Sequence, residues 1–120
     1  MRKKDEIREE RIIMEAIVDA YGPEEQAMGW YYYLEDKISF PFEAECIVAD
    51  KRTPLKIGER VTAIKMSGEN YCQRDMYADV EWQGRTLAIP LANIKPLDAD
   101  DDTMEAIGDW HYWKDRGYTF

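Results

Sequence analysis

The hydrophobic period changes twice along this chain, and that change limits its possible folds more than any other feature. Up to about residue 37 the apolar residues recur at about 3.6, the period of a helix with one buried face. From about Phe40 they recur at about 2, the period of a strand, and after about Thr103 the helical period returns. Helices at both ends of a run of strands point to an α+β fold. The 120 residues suit a single domain. It divides into a helical hairpin over 1–37, a small antiparallel β-barrel over 38–97, and an acidic linker with a carboxy-terminal helix over 98–120.

The first helix is expected over 3–20. Ile7, Ile13, Met14, Ile17 and Ala20 make its apolar face, and Arg8, Glu9, Glu10 and Arg11 its wet one. "YGPEE" then breaks it. Gly22 suits a left-handed carboxy-terminal cap, Pro23 the first turn of a second helix, and Glu24 and Glu25 the positive end of that helix. The second helix runs to about Asp36 and carries Trp30, Tyr31, Tyr32 and Tyr33 in a row. Four successive helical residues sweep most of the circumference, so at least two rings face the core. Ala27, Trp30 or Tyr31, Leu34 and Ile38 form the best core stripe. A helix wedged between two layers and a platform that stacks a ligand both fit this run.

In the middle third, Phe42, Ala44, Cys46 and Val48 alternate with Glu43, Glu45 and Ile47. A turn at Gly58 leads to a strand with Val61, Ala63 and Lys65 on one side. "MYADVEW" and "RTLAIPL" form a hairpin across "QG", and Pro90 ends the second of them or places it at an edge. "LANIKPLD" reads as one helical turn and a last short strand. Such hairpin-linked strands fit a small closed barrel in an SH3-like arrangement. The last helix is expected over about 103–114.

Charge narrows the function. The net charge is −9, and the surplus of acids lies at the two ends: ten acids and six bases in 1–37, seven acids and two bases in 98–120. A nucleic-acid binder needs a basic face, and here only Arg2, Lys3 and Lys4 resemble one. No apolar run approaches the roughly 20 residues that span a bilayer. "MRKKDEIREERI" lacks the apolar segment of a secretory signal, so a cytoplasmic protein is expected. Cys46 and Cys72 lie far apart and read as buried reduced thiols. His111, among Trp110, Tyr112 and Trp113, has no sequence neighbour with which to build a catalytic triad or a zinc site. Glycine-rich phosphate loops are absent. The chain does not read as an enzyme.

The acidic stretch "DADDDTMEAIGD", residues 98–109, has two readings. Asp98, Asp100 and Asp102 match the first three ligand positions of an EF-hand loop, but Thr103 stands where glycine is required and Asp109 where a bidentate glutamate is usual. Either Asp102 caps the last helix with Glu105 completing a capping box, or the cluster contacts a cation without an EF-hand. Oxygen-rich clusters of this kind suit hard cations such as Ca2+.

"REERIIMEAIVDAYGPEEQAMGWYYYLEDKISFPFEAECI", "PLKIGERV", "RTLAIPLANIKPL" and "AIGDWHYWKDRGY" together resemble the bacterial CcbP-type calcium-binding protein family, over about residues 8–120. The resemblance implies a small acidic soluble protein that binds Ca2+ through surface carboxylates without EF-hands, for buffering or sequestration rather than catalysis. With "YYYLED" present in full, it implies Glu35 and Asp36 as ligands. Asp98, Asp100, Asp101 and Asp102 carry over only as a cluster. The residues themselves agree on one point: Asp36 falls at a helix carboxy-terminus, where freed carbonyls can share a cation. The alternative is a protein-interaction module that uses the acidic helices or the neutral barrel face toward a protein partner.

Overall fold

The computed structural model describes residues 3–120; Arg2 of the basic trio lies outside them. Asp5 starts α1 (Glu6–Arg11), its carboxylate accepting the Arg8 N–H at 3.1 Å. The helix then widens into a π-helical turn, Ile12–Ala16, in which the Ile17 N–H reaches back five residues to the Ile12 carbonyl. The expected apolar face does not form. Ile7, Ile13 and Met14 are 74%, 55% and 63% exposed, while Ile12 and Ala16 are buried. Two causes act together: α1 turns Arg8 and Arg11 inward toward a buried acid, and the π turn rotates everything after it. The left-handed residue that ends this segment is Asp19 (φ 57°), and Gly22 is extended and caps the next helix instead.

That helix, α2 (Pro23–Lys37), has proline at its start, Glu24 and Glu25 in its first turn and Lys37 in its last, as the helix dipole favours. Ala27, Trp30, Leu34 and Ile38 are buried, as the stripe predicts, and Tyr31 and Tyr33 are buried beside them. Tyr32 points outward and donates to Glu69 at 2.7 Å. The final helix, α3 (Asp101–Asp115), meets α2 through its tryptophans: Trp30 stands 5.0 Å from Trp110 and 5.5 Å from Trp113, ring centroid to centroid.

Five strands lie between: β1 (Phe42–Cys46), β2 (Arg60–Met66), β3 (Tyr77–Trp82), β4 (Arg85–Pro90) and β5 (Ile94–Leu97). They form one antiparallel sheet in the order β4-β3-β2-β1-β5, with Ala44 opposite both Val61 and Pro96. Gln83 (φ 49°) and Gly84 (φ 76°) close the β3–β4 hairpin, the signs that a type I′ turn demands. A bulge between Ala63 and Lys65 breaks the alternation of β2, so Lys65 faces solvent and Met66 takes the buried place. β4 and β5 are the two outer strands, and the sheet is open where the sequence suggests closure. Pro90 and Pro96 sit on those strands and offer no N–H for a closing ladder. A single 3-10 turn, Leu91–Asn93, precedes β5. Among the described residues no helix is long and apolar enough to cross a membrane.

Candidate metal centre

Glu35 and Asp36 occupy the last turn of α2, and both are exposed. Their backbone is rigidly placed, because Trp30, Tyr31, Tyr33 and Leu34 bury the preceding turn. The helix stops at Ile38, whose N–H donates to the Leu34 carbonyl at 2.9 Å, and the carbonyls that follow have no further turn to accept from. Burial and then the neighbouring Glu35 push the Tyr31 hydroxyl up to about 12. A groove of about 810 Å3 opens between this turn and the π-helical segment, and Glu15, Glu35, Asp36 and Lys37 all line it. Glu15 is a carboxylate that sequence reasoning missed. A regular helix over 3–20 gives no reason to pair it with the end of α2; the π turn does.

The acidic linker lies around a second groove. Asp98 (φ 52°) and Asp100 line it together with Glu43 of β1 and Arg60 of β2, around about 490 Å3. Glu43 is the second acid that the sequence did not single out. Asp98, Asp100, Asp101 and Asp102 are all exposed. The helix cap is Asp100 rather than Asp102: its carboxylate accepts the Thr103 N–H at 2.7 Å. Thr103 first, and then Ser39, hold the Asp100 carboxyl below the usual range. Glu105 completes no capping box. It accepts from Lys37 Nζ at 2.7 Å and lies 3.4 Å from Arg11 Nε, and these two bases lower its pKa, Lys37 the more strongly.

The same contacts stitch the two acidic segments together. The Ser39 N–H donates to Thr103 Oγ1 at 2.8 Å, so the end of α2 adjoins the start of α3. The Glu35–Asp36 pair and the 98–102 run therefore flank one junction without merging. Among the described residues no three acids, cysteines or histidines converge into a ready coordination cage. Exposed carboxylates in open grooves instead leave room for an ion to keep part of its water shell.

The available donors are carboxylate and carbonyl oxygens, the set that a flexible six- to eight-coordinate Ca2+ site uses. Soft donors are elsewhere. Cys46 and Cys72 are buried under the sheet's apolar side chains, and His111 Nε2 lies 3.1 Å from the Leu91 carbonyl oxygen.

The last acid of the 98–109 stretch is heavily bonded but lies on a helix. Asp109 is fully buried on α3. Its oxygens accept from Arg8 Nη1 (2.7 Å), Arg11 Nε (2.8 Å), Arg11 Nη2 (2.7 Å) and the Tyr33 hydroxyl (2.7 Å). With its lone pairs taken, Asp109 acts as a structural anchor and does not face a groove.

A family model described as calcium binding, for CcbP-type proteins, matches residues 10–114. A crystal structure of Anabaena CcbP is 43% identical to this chain, with 99% of this chain and 98% of that one covered and a TM-score of 0.89. A calcium binding protein in the calcium-binding form is 42% identical, with all of both chains covered and a TM-score of 0.88. No curated protein matches the chain significantly.

Proposed function

The chain belongs to the CcbP family of calcium-binding proteins, and from that membership we propose that it takes up Ca2+ on surface carboxylates, without an EF-hand, as a buffer or sequestering protein. The observation that carries this reading is the groove that Glu35 and Asp36, on a rigid helix end, line together with Glu15. Asp36 is the primary ligand, with Glu35 and helix-end carbonyls beside it. Asp98 and Asp100, with Glu43 across their groove, form a second or contributing site, and Asp101 and Asp102 add negative potential.

The start of α3 supports the reading that no EF-hand is used in the 98–109 stretch. Asp102, which would be the third ligand of an EF-hand loop, already lies in the first turn of α3, and Asp100 is occupied as its cap. The order β4-β3-β2-β1-β5, with a 3-10 turn before β5, supports an SH3-like arrangement of the open sheet. A non-enzymatic role agrees with the lone histidine being engaged by the Leu91 carbonyl, and a cytoplasmic location is part of the same proposal.

The test is calorimetry with Ca2+, with Mg2+ and with a metal-free control, comparing Asp36→Asn with the double variant Asp98→Asn/Asp100→Asn. Asparagine keeps an oxygen and still caps a helix, so fold effects stay small. Asp36→Asn is expected to remove most of the Ca2+ heat. An unchanged titration in Asp36→Asn, with loss in the double variant, would transfer the primary site to the acidic linker.

A further inference from the structure

The outward side of the amino-terminal helical segment exposes large apolar side chains along its length. Ile7 is 74% exposed, Met14 63% and Val18 52%. Ile7 and Met14 border a shallow groove of about 300 Å3, edged by Glu10, Arg11 and Glu15. Glu15 and Val18 also border the larger groove that contains Tyr32, Glu35 and Asp36. The two grooves meet at Glu15 and form one strip.

Beyond the exposed Lys3 and Lys4 that precede Ile7, the charges along this strip are one-sided. Glu10, Glu15, Glu35 and Asp36 are exposed acids. The two bases that border it are already engaged: Arg11 holds Asp109, and Lys37 holds Glu105. The strip thus presents an apolar floor inside a negative rim. The interval from Ile7 to Val18 crosses α1 and the π turn and rises at most about 16 Å, up to three turns of a partner helix.

We propose that the strip from Ile7 to Asp36 is a docking surface for a basic amphipathic helix of another protein. The apolar side of that helix rests on Ile7, Met14 and Val18, and its lysines or arginines reach Glu10, Glu15, Glu35 and Asp36. This is the helix-in-groove mode, with charge selecting the partner. Charge also disfavours the other occupants. A second copy would set one acidic rim against another on chains of net charge −9. An anionic membrane would be repelled in the same way.

The test uses a fluorescein-labelled 14-residue peptide of leucine and lysine in helical spacing, and a counterpart with glutamate in place of lysine. Anisotropy is followed on the full chain in chelator, at low and at physiological salt. Working without calcium keeps this result separate from the calcium reading, although Glu35 and Asp36 are shared. The lysine peptide is expected to bind and the glutamate peptide not. Ile7→Ser/Met14→Ser and, separately, Glu10→Gln/Glu15→Gln each weaken binding by about tenfold or more. Glu45→Gln/Glu81→Gln, on the sheet, leaves it unchanged. Equal binding by all variants overturns the proposal. So does full binding by Ile7→Ser/Met14→Ser, which would reduce the effect to bulk charge. A concentration-dependent dimer in sedimentation, lost in Ile7→Ser/Met14→Ser, would give the face to a second copy and overturn it as well.

Discussion

Asp109 illustrates what a single side chain contributes here and why the sequence conceals it. Its partners Arg8 and Arg11 lie about a hundred positions away, where they read as the wet face of a helix. One clue was available: Asp109 stands three residues from Ala106 and three from Tyr112, inside the stripe that α3 buries. Removing one partner of a buried ion pair costs about 3–5 kcal/mol, because the other charges remain desolvated. Asp109→Ala is therefore expected to lose about that much in denaturant unfolding, and a loss below about 1 kcal/mol would show that Arg8 and Arg11 simply turn to water. Tyr33 reports on the same cluster. Burial first, and then its bond to Asp109, raise the pKa of its hydroxyl far above the ordinary value. Tyr31 is raised to about 12, again by burial and then by Glu35. For both groups the folded pKa exceeds the unfolded one. Their stabilisation is thus complete below the unfolded value of about 10 and is lost as pH rises through the folded values. Absorbance of tyrosinate should show a late-titrating fraction that Tyr31→Phe and Tyr33→Phe each reduce. Ordinary titration of all eight tyrosines near 10 would contradict the buried environment.

Among the elements, the strands and the last two helices were legible from period and turn chemistry, because each obeys one local rule. The "QG" hairpin, the single turn before "IKPL" and the core stripe Ala27–Trp30–Leu34–Ile38 are found where expected. The first helix was misread because a π turn has no pattern of its own. It inserts one residue per turn and carries the apolar phase with it, so that Ile12 and Ala16 replace Ile13 and Met14 in the core. Gly29 fixes how closely this turn approaches α2. A Cβ at Gly29 would overlap the Ala16 carbonyl oxygen. Two effects then oppose each other in Gly29→Ala. Helix propensity gains about 1 kcal/mol, whereas forcing two backbones apart in a packed contact costs about 1–3 kcal/mol. The obstacle is main chain and cannot rotate away, so the clash is expected to win. Thermal melts should show Gly29→Ala less stable than wild type; a more stable variant would mean that the π turn yields easily.

At the scale of the whole molecule, the fold class was visible in the sequence, but the arrangement of acids around each groove was not. Glu35, Asp36, Asp98 and Asp100 could be named from their runs, whereas Glu15 and Glu43 reach the same grooves from other elements. The composition nevertheless determines how binding should respond to its surroundings. A net charge of −9 on one small domain raises the local concentration of any dication and opposes folding by self-repulsion. Calcium relieves that repulsion, and under the proposed site at the end of α2 it binds only the folded helix, so it should stabilise the folded chain. At a free concentration of 100 times Kd the gain is about 2.7 kcal/mol, equivalent to a rise in Tm of at least about 5 °C for a chain of this size. Magnesium, which dehydrates reluctantly and needs stricter octahedral geometry, should raise Tm far less on open carboxylates. Salt provides the sharper criterion. From about 0.01 M to about 0.15 M ionic strength the Debye length falls from about 30 Å to about 8 Å, which screens the distant acids but leaves direct ligands in place. Calcium titrations across that range are therefore expected to show affinity falling severalfold and then levelling off, with the Asp36→Asn protein lacking the level portion. Affinity indifferent to salt throughout would mean that a few ligands in a closed cage hold the ion, contrary to the open grooves. A fall that continues without levelling would mean that calcium is held only as a counterion cloud, with no site at the end of α2.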